Sequence, residues 1–284
     1  MPEQVISEVL DVRRSGSYSV LSLTAPGIAD QVRPGHFVNL AIGGEESAML
    51  MRRSFAVHQV QSRGVYGGTL EIVVSAVGKG SRWLASRHRH DQVNLVGPLG
   101  TPFALPKKRV NCVLVGGGYG SAPLFMLAER LREIGCRVDV VLGARTEEQL
   151  FGVLDLKRVS SSITVTTDDG SSGIKGKVTD PLPEILDKCE ADIVYSCGPM
   201  PMLAAVAHLA AQKRIYCQTS VEEAMACGVG VCMTCVLPVI GDDGVTRMVR
   251  ACTDGPTFRG DRVRWNDLGT VPADTLGAPE VVNP

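Results

Sequence analysis

Four cysteines toward the end of the chain have the residue type and spacing of a metal centre. Cys227 and Cys232 enclose four residues, Cys232 and Cys235 enclose two, and Cys252 follows after sixteen more. The pattern C-x4-C-x2-C…C is the spacing of plant-type [2Fe–2S] ligands. Gly228 and Gly230 let the chain wrap tightly enough for backbone N–H groups to face sulfur. Such donors stabilise the reduced, more negative form of a cluster. Four thiolates also satisfy a structural zinc ion, but zinc usually draws on paired C-x2-C arms. Here one arm carries three cysteines and the other carries one, so iron and sulfide fit the spacing better.

A second candidate is the segment Gly116-Gly-Gly-Tyr-Gly-Ser-Ala-Pro123. Gly116, Gly117, Gly118 and Gly120 would let backbone N–H groups approach a pyrophosphate at the positive end of a helix. Ser121 is expected to cap that helix and Pro123 to occupy its first turn. Ser121 also stands where G-x-G-x-x-G has its third glycine, so the motif alone fits a packing turn equally well. Cys197, Gly198 and Pro199 follow an apolar run at the carboxyl edge of the same expected sheet, where ligands bind in wound folds. Cys197 is therefore a candidate to face a nicotinamide; a small buried core residue is the alternative. Gly143-Ala-Arg145 lacks the acidic residue expected for a ribose 2′-hydroxyl, and Arg145 suits a 2′-phosphate, which leaves NAD against NADP open. Arg53-Ser-Phe-Ala56 and Gly78-Lys-Gly-Ser81 together look like a flavin site, an arginine beside a glycine-rich helix start. Taken singly, each also fits an ordinary surface arginine and an ordinary cap.

These groups need two kinds of scaffold. In the first hundred residues, segments 18–24, 36–42 and 69–74 alternate apolar and polar residues between Gly and Pro turns. That pattern predicts an antiparallel barrel or sandwich, with one helix near 81–87. After Pro106 the rhythm changes. Apolar runs at 109–115, 137–142, 162–165, 192–196 and 215–219 alternate with helical stretches at 124–134 and near 146–151, 179–188 and 199–212. Strands alternating with helices predict a parallel, doubly wound sheet. From 221 onward cysteines and glycines replace periodicity, as in a small metal-organised module. The fold class is thus β plus α/β, divided into a barrel at 1–104, a wound domain at 105–220, a cluster module at 221–265 and an extended tail at 266–284.

A length of 284 residues, 44% of them hydrophobic, supports two cores with a small appendage. Lys and Arg total 29 against 30 Asp and Glu, a net charge of -1. That balance gives no electrostatic case for nucleic acid or for a polybasic membrane contact. No apolar stretch approaches the ~20 residues that span a bilayer. Met1-Pro2-Glu3-Gln4 lacks the pattern of a signal peptide. Nine cysteines, an odd number, argue against a complete disulfide framework. A cytoplasmic location is expected.

Taken in order, these motifs resemble the ferredoxin–NADP reductase superfamily. More closely, they resemble the electron-transfer subunits of the two-subunit, NAD-linked dihydroorotate dehydrogenases. Gly97-Pro-Leu-Gly100, Thr167-Asp-Asp-Gly170, Cys197-Gly-Pro-Met200, Glu222-Glu-Ala-Met-Ala-Cys-Gly228 and Cys252-Thr-Asp-Gly-Pro256 join the segments above, the last two being the most specific. The resemblance implies FAD in the barrel, against Arg53, Ser54, Phe55, Ala56, Val73, Val74 and Ser75, with Gly80 and Ser81 near its phosphates. It implies NAD in the wound domain and a [2Fe–2S] cluster on Cys227, Cys232, Cys235 and Cys252. It further implies an FMN-containing catalytic partner in a heterotetramer, with electrons from dihydroorotate returning through cluster and FAD to NAD+ in pyrimidine biosynthesis. Ala56 departs from the serine usual among relatives, and Ser81 stands where threonine is common. Related subunits serve sulfide- or ferredoxin-linked NAD(P)H oxidoreductases. From another class, a nucleotide-binding regulatory protein with structural zinc would use the same thiolates.

Overall fold

Side chains that alternate between the two faces of a strand build the first part of the chain, which in the computed structural model is a closed antiparallel barrel. The structure describes residues 1–44, 49–62 and 64–278. The barrel strands are β1 (Glu3–Ser15), β2 (Tyr18–Thr24), β3 (Phe37–Leu40), β4 (Arg53–Gln61), β5 (Thr69–Ser75) and β6 (Gln92–Leu99), closed in the order β1-β2-β5-β4-β3-β6. Leu70, Ile72 and Val74 of β5 point inward with Leu21, Leu23, Leu40, Val57 and Leu95 to form one core. Helix α1 (Lys79–Ala85) contributes Leu84 to it. Strands β1 and β6 escaped the sequence patterns. The register of β1 shifts between Val9 and Asp11, and β6 alternates in burial but sets apolar Val96 and Pro98 on its outer face and Gly97 on its inner one, so the residue types do not show the alternation.

The second part is wound as the alternating runs require. Its elements are β7 (Asn111–Gly117), α2 (Leu124–Ile134), β8 (Arg137–Ala144), α3 (Val153–Val159), β9 (Ser162–Thr167), β10 (Ile174–Lys175), α4 (Leu182–Lys188), β11 (Ile193–Cys197), α5 (Met200–Gln212) and β12 (Tyr216–Ser220). After it come β13 (Val236–Ile240), β14 (Thr246–Arg250) and β15 (Thr257–Arg259). The sheet order is β10-β9-β8-β7-β11-β12-β15, parallel except that β15 runs antiparallel to β12, while β13 and β14 form a separate hairpin. In β7, Cys112 and Leu114 face the α2 side and Val113 and Val115 face the α4 and α5 side, all wholly buried. The strand order reverses between β7 and β11, which opens a crevice at their carboxyl ends.

One element differs from the sequence expectation. The helix placed near 146–151 is a short 3-10 turn at Glu147–Gln149, and the α-helix begins at Val153 after Gly152, whose φ is +73°. Tertiary contact overrides helix propensity there, because Phe151 packs edge-on against Tyr18 and His58 of the barrel. The same seam carries hydrogen bonds. The Tyr18 hydroxyl donates to the Gln149 carbonyl at 2.9 Å, and His58 Nδ1 lies 2.7 Å from the Ala122 carbonyl. Beyond 265, Thr275 bridges to Thr246 of β14 and Arg264 pairs with Asp274, so these residues lie against the hairpin. Residues 279–284 of the expected tail lie outside the described residues.

Two buried histidines give the fold an acid-sensitive term. Burial, then the neighbouring Arg33, lowers His36 from an ordinary value of 6.5 to about 4; burial likewise lowers His58. Both bind protons more readily in the unfolded chain, so their contribution is whole above their unfolded value and is lost as pH falls toward the folded one. Urea midpoints should therefore fall between about pH 7 and about pH 5, and fall less in His36→Gln. A midpoint that stays flat across that window contradicts this account.

Candidate redox site

Local chain geometry explains how the cysteine segment can face sulfur. Gly228 and Gly230 adopt φ values of +69° and +83°, a left-handed turn that suits glycine. The turn aims three backbone N–H groups, from Val229, Val231 and Cys232, at Cys227 Sγ, at 3.4, 3.3 and 3.4 Å. The remaining ligand candidates are brought in by the hairpin. Its register pairs Val236 with Arg250, and the Ala251 N–H donates to the Cys235 carbonyl at 2.8 Å. Cys235 and Cys252, just outside the two strand ends, are thereby juxtaposed.

The four thiols fall into two pairs. The Cys232 thiol hydrogen-bonds with that of Cys227 and is lowered to about 6, first by the Thr234 hydroxyl and then by backbone N–H groups. The Cys252 thiol hydrogen-bonds with that of Cys235 and is pushed up to about 11, chiefly by burial. A zinc ion needs four ligands about one point, whereas two irons bridged by sulfide need two thiolates each. Two pairs with amide donors at one of them fit the second requirement. Cys232 is exposed, and so are its neighbours Val231 and Met233.

The expected flavin residues gather at one end of the barrel. Arg53, Ser54, Phe55 and Ala56 begin β4, paired with Leu40, Asn39, Val38 and Phe37 of β3. A Cβ on Gly80 would lie 3.4 Å from Arg53 Nε, so the start of α1 rests on that arginine. Arg53 is held by the carbonyl of Met51, 2.8 Å from Nη1. Ser81 is occupied in the helix cap, where its Oγ accepts the Gly78 N–H at 3.0 Å. Val73, Val74 and Ser75 end β5. The Val74 side chain lies wholly in the core, so only its backbone can meet a ligand. A cleft of about 500 Å³, lined by Met51, Arg53, Ser54, Met225 and Thr234 among others, runs from this strand to the cysteine loop.

At the crevice the glycines pack two loops together. A Cβ on Gly120 would lie 2.5 Å from Gly198 Cα, and one on Gly117 would lie 2.9 Å from Pro199 Cδ. Gly116 is equally tight, 2.8 Å from Ser121 Cβ, and Gly118 has φ +55°. Ser121 does not cap α2. Its hydroxyl lies within hydrogen-bonding distance of the Gly118 and Phe151 carbonyls, a 3-10 turn spans Gly118–Ser121, and Pro123 itself holds the cap position. Cys197 ends β11 as expected, yet it is only 4% exposed and packs in the core beneath the crevice. Burial, then the Glu222 carboxylate, drives its thiol upward, with Ser220 as its hydrogen-bond partner. Strand register sets Gly116, Cys197 and Ser220 in one row. Glu222 follows two residues later, its carboxyl raised by burial, and Tyr119 beside it is pushed up to about 12 by burial and then by Glu222. Spacing alone did not mark Glu222 or Tyr119; their position just past the ends of β12 and β7 makes them candidates. Arg145 lies exposed just beyond β8.

Comparison with known proteins agrees with this arrangement. Residues 222–264 match a family described as the iron-sulfur cluster binding domain of dihydroorotate dehydrogenase B, and residues 114–208 match an oxidoreductase NAD-binding domain. Across 92% of its length the chain is 34% identical to the whole of the dihydroorotate dehydrogenase B (NAD(+)) electron transfer subunit of Desulforamulus reducens. Across 96% it is 33% identical to 97% of a probable subunit of the same name from Methanopyrus kandleri. A solved NADH-dependent reduced ferredoxin-NADP oxidoreductase aligns at TM-score 0.80 and 31% identity over 93% of this chain and 91% of that one. A ferredoxin NADP+ reductase from Neisseria gonorrhoeae, with bound FAD and NADP, shares the fold at TM-score 0.59 and 18% identity, over 75% of this chain and 92% of that one.

The loop contact at Gly120 is open to a direct test. Gly120→Ala sets a methyl group against the Gly198 backbone and forces the two crevice loops apart. The KM for NADH should rise about tenfold or more, since small misplacements at a binding site carry costs of that order. Iron and sulfide content should stay at the wild-type level. An unchanged KM shows that this contact does not shape the nucleotide site.

Proposed function

The chain belongs to the family of dihydroorotate dehydrogenase B electron transfer subunits, and on that premise we propose that it carries electrons from a dihydroorotate-oxidising partner to NAD+. The observation that supports this most is the cysteine loop, with paired thiols and three amides facing Cys227. Cys227, Cys232, Cys235 and Cys252 would hold a [2Fe–2S] cluster. Arg53, Ser54, Phe55 and Ala56, the backbone of Val73, Val74 and Ser75, and Gly80 and Ser81 would hold FAD. Gly116, Gly117, Gly118, Gly120, Gly198 and Pro199 would hold NAD, with Cys197 beneath them. When bound, a flavin exchanges electrons both in pairs and singly, which matches a hydride carrier to a one-electron cluster.

The chain's own residues supply position and charge. Arg53, fixed at the mouth of the cleft, offers a guanidinium of the kind that pairs with phosphate. The amides of Val229, Val231 and Cys232 offset negative charge on sulfur. Exposed Cys232, with Val231 and Met233 beside it, suits contact with an FMN-containing catalytic subunit in a heterotetramer, because electron transfer weakens steeply with distance. Orotate chemistry belongs to that partner, and no base in this chain is needed for it. Among the described residues no helix is long and apolar enough to cross a membrane.

A sulfide- or ferredoxin-linked role is the weaker alternative. It draws on one solved structure at 31% identity, whereas the curated relatives at 33–35% and the match at 222–264 carry the dihydroorotate dehydrogenase B name. Mixing the reconstituted chain with a dihydroorotate-oxidising flavin subunit should restore NAD-linked dihydroorotate oxidation. Cys232→Ser should abolish that coupled activity while NADH oxidation by an artificial two-electron acceptor persists. Coupled activity that survives the substitution means that Cys232 is not a ligand, and failure of the wild-type mixture removes the proposed partner.

A further inference from the structure

Asn39 lies in the middle of β3 with 1% of its surface exposed. A buried carboxamide needs partners for both its oxygen and its nitrogen, and here the two point to different parts of the site. Its Oδ1 accepts the hydroxyl of Ser54, the residue opposite it on β4. Its Nδ2 donates to the backbone carbonyl of Cys227 at 2.8 Å, across 188 residues of sequence. One side chain thus joins the strand proposed to face FAD to the first cysteine of the proposed cluster.

The fit at the loop is close. Gly228, immediately after Cys227, is left-handed, and a Cβ there would overlap Asn39 Nδ2. The amide therefore fills the space where a side chain would otherwise project. Gly228 is demanded twice, by the turn that aims the amides at Cys227 and by the approach of Asn39. The Cys227 carbonyl, which can only accept, fixes the nitrogen toward the loop, and the Ser54 hydroxyl then donates to the oxygen that faces β4.

The geometry points to Asn39 as a positioning residue that seats the loop carrying Cys227 against the flavin end of β4. It acts through Ser54 and Cys227, and the inference rests on the proposed function of the site. Groups that orient a metal ligand from behind it are worth about 10–100-fold in metal affinity or activity when removed. A loop held by one amide at its first ligand is sensitive to such a loss.

The test uses the full chain loaded with FAD, iron and sulfide. Asn39→Leu keeps the volume and removes both hydrogen bonds. Freeze-quench EPR after mixing with NADH should show the cluster signal appearing about tenfold more slowly than in wild type. The dithionite-reduced spectrum, which does not require flavin, should change its g-anisotropy. Ser54→Ala frees the carboxamide without removing it and should shift that spectrum in the same direction by less, with Ser54→Thr restoring the wild-type line shape. A role confined to barrel stability would lower the unfolding midpoint and leave the EPR signature alone. Wild-type rates and spectra in iron-replete Asn39→Leu overturn the proposal. If Asn39→Leu does not retain iron, Ser54→Ala decides, and an unaltered spectrum there overturns it too. A wild-type chain without any cluster signal would instead sink the relay itself.

Discussion

Anionic sulfur persists in a protein only where donors face it, and the loop after Ala226 is shaped by that demand. Three amides within four residues, those of Val229, Val231 and Cys232, cannot turn toward one sulfur in a helix or a strand, because both bind their N–H groups elsewhere. The loop consequently forgoes regular structure and takes left-handed turns at Gly228 and Gly230. A segment without its own ladder must borrow rigidity from its neighbours. It borrows from the barrel through Asn39, from the hairpin through Cys235 and Ala251, and from Arg250, whose guanidinium donates to the Gly230 carbonyl at 3.0 Å.

The same logic of borrowed support governs the crevice. Where the loops after β7 and β11 meet, Gly120 and Gly198 bring backbone against backbone, while Pro199 and Met202 close over Gly117. Their positions are then fixed from outside, by aromatic packing of Tyr18, His58 and Phe151 and by the bond from His58 to the Ala122 carbonyl. The glycine loop after β7 and the strand end at Arg53 are therefore coupled through β4, which carries Arg53 at one end and His58 farther along. Residues 101–104 complete the joint. Gln218 exchanges two hydrogen bonds with the Ala104 backbone, and the Tyr195 hydroxyl donates to the same carbonyl at 2.9 Å.

Much of this was legible in the sequence where chemistry restricts the residue type. Cysteine spacing, the glycine loop and the buried runs of the wound sheet each leave a local signature, and the structure places them as two thiol pairs, a tight crevice and a parallel sheet. Long-range demands left weaker traces. The helix expected near 146–151 gives way because Phe151 is claimed by the barrel, a contact invisible in a local window. Strand β1 was missed where a register shift interrupts alternation, and β6 because apolar Val96 and Pro98 on its outer face conceal one that the structure keeps. Asn39 passes in the sequence as one polar position of an alternating segment, and only its two partners, Ser54 and Cys227, give it meaning. Cys197 was placed correctly at its strand end, but exposure cannot be inferred from position alone, and its thiol is covered.

Strand β15 returns to the sheet edge after the cysteine hairpin and pairs antiparallel with β12, Ser220 opposite Thr257. The metal-binding segment is thus an excursion between two neighbouring strands, anchored at both feet. Thr257 also reaches the Thr101 carbonyl at 2.9 Å, so the returning foot is nailed to the interdomain joint as well. A module tethered in this way cannot swing on a single hinge as an appended ferredoxin could. Any partner that docks on it addresses a fixed terminal, and the burden of reaching that terminal falls on the partner.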